Sequence, residues 1–252
     1  MKKVRRLISL ATAQMASSML KFWRKDNLNY SPEEWRQMRI SFADSGEDLV
    51  VFDYLKKLPK SDRGIYIDAG AFDPVLISNT MLLYKNGWQG LVVDANPRTI
   101  EKFRSIRPRD NSVWSALSDR HEKYQYLEYP VPGNNRLAPL GAEDEKSMIG
   151  EEPIKRSPIE SRTLDQILQE NYKVAPKIDF LSIDCEGYDH LVLKGLNLNK
   201  YRPRIICTEE MGRLCVDSED TSKILLEHGY TVFAKLGLNL IFVDTNSDSG
   251  CK

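Results

Sequence analysis

Ile65-Tyr66-Ile67-Asp68-Ala69-Gly70-Ala71-Phe72-Asp73 decides how this chain is read. An apolar run meets an acid and then a glycine, which describes a buried strand turning at its carboxyl end. Leu91-Val92-Val93-Asp94-Ala95-Asn96-Pro97 repeats the pattern. Ligands of parallel α/β sheets bind beyond the carboxyl ends of the strands, and an acid ending the second strand suits a ribose diol. The first turn lacks G-x-G-x-x-G and carries carboxylates where a pyrophosphate would be repelled. Such a turn suits a nucleoside with a cationic end, such as S-adenosylmethionine with its sulfonium and ammonium groups. Asp68, Gly70 and Asp73 are the candidates in the first turn, with Gly70 allowing close backbone approach to a ligand. Asp94 is the ribose candidate. A plain strand-to-helix turn explains the first three residues, and a helix-capping or surface acid explains Asp94. The two acids taken together favour the site.

Outward from these strands, helical and strand patterns alternate. Asn96 precedes Pro97 and is expected to cap the helix that follows more than to touch a ligand. Residues 113–117 read as a third strand, ending at Ser118 and Asp119, where an adenine would lie; a turn acid is nearly as good an explanation. Residues 124–129 alternate as an added strand. Residues 130–161 are rich in Pro, Gly and charge and read as a long loop covering a substrate. A helix begins at Thr163. Residues 178–184 are largely apolar up to Asp184, as a buried parallel strand should be. Further strands are expected at 204–208, 230–234 and 240–243, with helices at 188–196 and 222–228. Strands alternating with helices predict an α/β fold, a Rossmann-like doubly wound sheet that is mostly parallel with an antiparallel carboxyl-terminal strand. Residues 1–62 read as an amino-terminal helical extension, 63–245 as the core domain and 246–252 as a tail. Within the extension, Ser31-Pro32 opens a helix.

The 252 residues carry 36 Lys+Arg and 36 Asp+Glu, so no net field favours nucleic acid. Cys185, Cys207, Cys215 and Cys251 show no C-x-x-C pairing, which points to a reducing, cytoplasmic compartment. Lys2, Lys3, Arg5 and Arg6 precede an apolar run that Gln14 and Ser17-Ser18 break too soon for a spanning helix. Val4, Ile8, Ala11, Met15, Met19 and Phe22 recur at three- and four-residue steps. Residues 1–23 therefore read as an amphipathic helix with a basic start. It either lies on the inner membrane surface as a peripheral contact or packs on the domain or a partner. Oligomeric state is open.

A second constellation is Ser182-Ile183-Asp184-Cys185-Glu186-Gly187-Tyr188. Acids at the end of a buried strand are costly unless used or paired. With Glu209 and Glu210 ending the next strand, these acids are expected to converge on one pocket. There they take a proton from a hydroxyl, or Asp184, Glu209 and Glu210 hold a hard divalent cation. The alternative pairs Glu186 and Glu209 with Lys194 or Arg213. No His/Cys geometry supports a metal. His190 follows Glu186 by one turn and is either a base or a solvated histidine. Asp184 leads as the catalytic base, with Glu186, His190 and Glu209 as alternates.

At these motifs the chain resembles the FkbM family of S-adenosylmethionine-dependent methyltransferases. The match is carried by S-F-A-D-S-G-E-D (41–48), Y-I-D-A-G-A-F-D-P (66–74) with S-N-T (78–80), and G-W-Q-G-L-V-V-D-A-N-P (87–97). It continues through A-L-S-D (116–119), T-L-D (163–165) and I-D-F-L-S-I-D-C-E-G-Y-D (178–189). The resemblance implies a class I methyltransferase fold and O-methylation, often of sugars, glycans or other hydroxylated small molecules, as in polysaccharide biosynthesis. It also implies that Glu47 and Asp48 lie near the cofactor. Two residues depart from the family's pattern: Asp44, where relatives often have Gln, and Asp73, where many have His. Two other readings remain at this point: a nicotinamide-dependent oxidoreductase, against which the missing G-x-G-x-x-G argues, and a non-catalytic binding module of the same fold.

Overall fold

The computed structural model describes residues 30–59, 63–142, 150–209 and 221–245. The expected amphipathic helix at 1–23, Glu210, Arg213, Cys215 and Cys251 lie outside the described residues. The chain divides into two compact units, Met1–Ile40 and Ser41–Lys252. In the first, α1 (Pro32–Gln37) opens as its sequence predicts. Ser31 Oγ accepts the Glu34 amide at 3.2 Å and Glu34 returns a carboxylate to the Ser31 amide at 2.6 Å.

In the second unit, α2 (Glu47–Leu55) buries Val51 and Leu55 completely against the sheet. The core therefore begins at Ser41, and the boundary expected at residue 62 moves to 40. The apolar face of α2 has no other place to go. The strands are β1 (Ile65–Ala69), β2 (Gly90–Asp94), β3 (Asn111–Trp114), β8 (Ile178–Ile183), β9 (Ile205–Glu209), β10 (Tyr230–Leu236) and β11 (Asn239–Asp244). They form one sheet in the order β10-β11-β9-β8-β1-β2-β3. β3, β2, β1, β8 and β9 run parallel; β11 runs antiparallel to β9 and to β10. This is a mixed α/β architecture with a parallel-rich sheet.

Both sheet faces are covered, so β1, β2 and β8 are buried along their whole length. Ile65, Ile67 and Ala69 of β1 pack with Leu164, Ile167 and Leu168 of α5 (Leu164–Asn171) and with Val192 and Leu193 of α6 (Asp189–Lys194). Tyr66 points the other way, into a cluster with α2 and with α3 (Met81–Lys85). α4 (Pro97–Ile106) adds Phe103 against Val92, and α7 (Thr221–Glu227) adds Leu225.

The third strand ends sooner than the sequence suggested. β3 stops at Trp114, and β4 (Ala116–Leu117) belongs to a second sheet. Ser115 marks the fork; its amide donates to the Asp94 carbonyl at 3.1 Å and its hydroxyl to the Ala116 carbonyl at 2.8 Å. The second sheet has the order β4-β7-β5-β6, with β5 (Lys123–Glu128), β6 (Arg136–Pro139) and β7 (Lys155–Arg162). The expected loop at 130–161 thus contains β6 and nearly all of β7. Its polarity misleads because one face of the sheet looks outward: Ile159 is buried while Pro158 and Glu160 are exposed. Pro158 sits opposite Gln125, and β4 pairs only with Ser161 and Arg162. Among the described residues, the outer edge of β7 at Pro158 has no partner strand that needs its missing N–H.

Gly70 closes β1 with φ +78°, and a Cβ there would stand 1.8 Å from the Asp184 carbonyl oxygen. Its smallness serves the contact between the β1 and β8 turns. Gly70→Ala is expected to destabilise the chain by about 3 kcal/mol or more, through overlap and left-handed strain together. Denaturant unfolding checks this, and a loss well below about 1 kcal/mol would contradict the packing described.

Candidate active site

Four adjacent strands, β2, β1, β8 and β9, each bring an acid to the same end of the sheet. These are Asp94, Asp68, Asp184 just after β8, and Glu209. The order reverses between β1 and β8, since β2 follows β1 on one side and the second half of the chain lies on the other. That is a topological switch point, where ligands of open α/β sheets sit.

The acids feel one another. Asp68 is buried, and burial pushes its carboxyl up to about 6; Asp110 adds to this while Arg107 and a hydrogen bond from Thr80 oppose it. Burial also pushes Asp94 up to about 6, opposed by the Asn96 and Phe72 amides and assisted by Asp68. Glu186 is pushed up to about 7 by burial, Glu209 and Asp189, against Arg136. Burial and Asp189 raise Glu209. Asp184 stands well above the usual carboxylate range through crowding by protein and the charges of Asp189, Glu186, Glu209 and Asp68. Its side chain is open to solvent, so the neighbouring carboxylates are the cause that carries weight.

The local bonds separate rim residues from supporting ones. Asp94 Oδ2 accepts the Phe72 amide at 3.0 Å and Oδ1 the Asn96 amide at 2.6 Å. One lone pair on each oxygen is left for a ligand. Asn96 caps α4 through the Arg98 amide at 3.0 Å. Asp73 turns away: Oδ1 accepts the Val75 and Leu76 amides and Oδ2 pairs with Lys102 at 3.2 Å. Those bonds outweigh its burial and hold its carboxyl below the usual range. Ser118 is fully buried, with its hydroxyl 3.1 Å from the Tyr124 hydroxyl and 3.3 Å from Asp119. Glu47 accepts the Ser45 amide at 2.9 Å and the Asn239 amide group at 2.8 Å. Asp48 accepts the Ser41 hydroxyl at 2.6 Å and the Phe42 amide at 2.7 Å. These two fully buried acids pin the segment before α2, and Glu47 pins it to β11. His190, half-buried on α6, faces the charge of Asp189.

Three participants were not singled out in the sequence. Asp189 accepts the Cys185 amide at 2.8 Å, the Thr208 hydroxyl at 2.9 Å and the Glu209 amide at 3.2 Å, tying the ends of β8 and β9 together. Its place at the start of α6 was the available signal. Tyr126 of β5 hydrogen-bonds the side chains of Asn135 and Asn96 and feels the charge of Asp94. With Tyr124, Leu137 and Ile159 it forms the inner face of the small sheet, packed with Ala95 and Tyr188 beside the rim. Thr80 donates to Asp68. A cavity of about 510 Å³ opens at the β3–β4 fork among Trp114, His121, Lys123, Glu160 and Arg162, and no rim acid lines it.

Among the described residues, no three acid, histidine or cysteine side chains are grouped to hold a metal ion. Residues 68–232 match the family described as the methyltransferase FkbM domain. The chain belongs to the FkbM methyltransferases. No curated protein and no solved structure matches it. The family's match spans the whole acid rim, from Asp68 to Glu209, together with the small sheet. Among the described residues no helix is long and apolar enough to cross a membrane.

A carboxyl raised by burial keeps a proton in the folded chain that the unfolded chain has already lost. The rim's stabilising contribution is therefore complete below the ordinary carboxylate value and is lost as pH rises through the folded values, about 6 for Asp68 and Asp94 and about 7 for Glu186. The ligand-free FkbM chain is expected to lose thermal stability as pH climbs from about 5 to about 8, and Glu186→Gln should flatten the upper part of that fall. Melting temperatures of both proteins across this range decide the matter; parallel curves would mean Glu186 titrates normally.

Proposed function

We propose that this chain is an S-adenosylmethionine-dependent O-methyltransferase with a Rossmann-like class I fold, acting on a hydroxyl of a sugar, glycan or related small molecule. The observation that carries the reading is the row of acids on β2, β1, β8 and β9, whose burial, with nearby like charges, raises their proton affinity. Such a row is costly on its own and is relieved by a cation. The strand order, with β11 antiparallel beside β9, supports the fold assignment.

The residues present fit such a cofactor. Asp94 keeps lone pairs for two ribose hydroxyls. Among the described residues, no donor is hydrogen-bonded to the Asp184 carboxylate or to Asp68 Oδ1, so both are available to positive charge. When bound, S-adenosylmethionine supplies a methyl group activated by its sulfonium. The chain's own task is alignment, worth on the order of 7–11 kcal/mol in the best cases, and removal of the hydroxyl proton. Asp184 suits the proton's removal because a carboxylate of raised proton affinity is the stronger base. Glu186, held at φ +51° in the following turn and pushed up to about 7, stands second. The inner face of the small sheet, with Tyr126 above Asp94 and Asn96, would cover the acceptor and exclude water. Cys185 and Cys207 are unpaired thiols, consistent with a cytoplasmic site of action.

Asp184→Asn should lower methyl transfer by about 100-fold or more while the variant still binds S-adenosylmethionine. Asp94→Ala should weaken cofactor binding about tenfold or more, as expected for charge-assisted bonds to a diol. Calorimetric titration paired with a labelled-methyl assay over nucleotide sugars and glycans checks both. Normal turnover by the Asn variant would remove Asp184 as the base, and an unaltered titration of the Ala variant would remove the ribose contact.

A further inference from the structure

Arg107 follows α4, outside every strand-end motif, yet it is fully buried. Its Nε lies 2.8 Å from Asp110 Oδ2, and both side chains of that pair are withdrawn from solvent. Buried pairs of this kind are weak stabilisers, since apolar residues of similar volume often do as well. The remaining donors point elsewhere. Nη2 donates to the Tyr66 hydroxyl at 2.8 Å and to Thr80 Oγ1 at 2.9 Å, while Nη1 reaches Ser78 Oγ and the Pro74 carbonyl at 3.3 Å each. Thr80 in turn donates to Asp68 Oδ2.

We propose that Arg107 is a positioning residue for the rim: through the Thr80 hydroxyl it fixes Asp68 as an ionised acceptor whose second oxygen faces an incoming cation. The direction of the chain follows from valence. A guanidinium only donates, so Thr80 Oγ1 accepts from Arg107 and its single proton goes to Asp68. A proton on Asp68 Oδ2 would then meet the Thr80 proton head-on, so a proton can sit only on Oδ1, and the donated bond favours the carboxylate. The groups facing Asp68 are Arg107 and Thr80, which favour its charge, and Asp110, Asp94 and Asp184, which oppose it. Asp110 is itself held by the Tyr66 hydroxyl, at 2.5 and 2.7 Å, by the Gly90 amide at 3.0 Å and by Arg107. Without the relay, a buried acid in the middle of a negative row would hold its proton to higher pH, and the rim's central charge would be weakened near neutral pH. Thr80 and Arg107 thus explain how carboxylates on three neighbouring strands can be charged together when a cation arrives.

The cation's identity rests on the function proposed above; the relay does not. The test uses Thr80→Val, which keeps shape and loses the hydroxyl, Thr80→Ser, which keeps it, and Arg107→Met. Two quantities are read: the titration of the Asp68 carboxyl by carbon NMR, and S-adenosylmethionine affinity by calorimetry from about pH 6 to about pH 9. In Thr80→Val the Asp68 midpoint should rise by about one pH unit, with affinity falling about fivefold at about pH 6 and about twofold at about pH 7, and recovering toward pH 9. Thr80→Ser should behave as wild type, and Arg107→Met, if folded, should exceed Thr80→Val. An unmoved Asp68 midpoint in folded Thr80→Val overturns the relay whatever the binding result. Failure of the wild-type chain to bind S-adenosylmethionine overturns the cofactor reading instead, and the Asp68 titration still decides the relay.

Discussion

Like charges crowded along one rim are the constraint around which this chain is arranged. Four neighbouring strands end in acids, and parallel pairing sets those ends side by side. Burial and nearby carboxylates together raise the acids' proton affinity, so the rim resists full ionisation until positive charge arrives. The protein tolerates this because the acids are held, not neutralised. Asp94 takes two backbone amides, Asp189 takes two amides and a hydroxyl, and Asp68 takes a hydroxyl backed by a buried guanidinium. Salt bridges to mobile surface cations would have cancelled the charge the site needs.

The rest of the fold serves that rim. Helices on both faces bury β1 and β8 so completely that their ends have one exit, into the crevice. Gly70 lets the β1 turn lie directly against the backbone of Asp184, which keeps the central acids of the row adjacent. Glu47 and Asp48 spend their charge on hydrogen bonds that lock the segment before α2 onto the core. The small sheet sets an aromatic inner face beside the rim.

The parts legible in the sequence are those fixed locally. Largely apolar runs ending in Asp68, Asp94 and Asp184 gave both the strands and the acid-bearing ends, because a strand's burial and its last residue lie in one short window. The helix starts at Ser31-Pro32 and Thr163 were legible for the same reason. What stayed hidden depends on contacts between distant residues. β6 and β7 are half polar and carry prolines, and only pairing with β5 makes strands of them. Ser115 breaks a strand that looks continuous because two sheets compete for it. Asp73 sits in the right turn but its oxygens are taken by its own backbone and Lys102. Arg107 reaches Thr80 across 27 positions and Tyr66 across 41, a relation no local pattern announces.

The central claim is that a cation discharges protons from this rim as it binds. Calorimetric titration of the chain with S-adenosylmethionine at about pH 6, in two buffers of different ionisation heat, reads those protons directly. The account predicts binding with net proton release, tightening as the pH is raised toward about 8. Absence of binding, or binding with no proton released and the same affinity at both pH values, would contradict it.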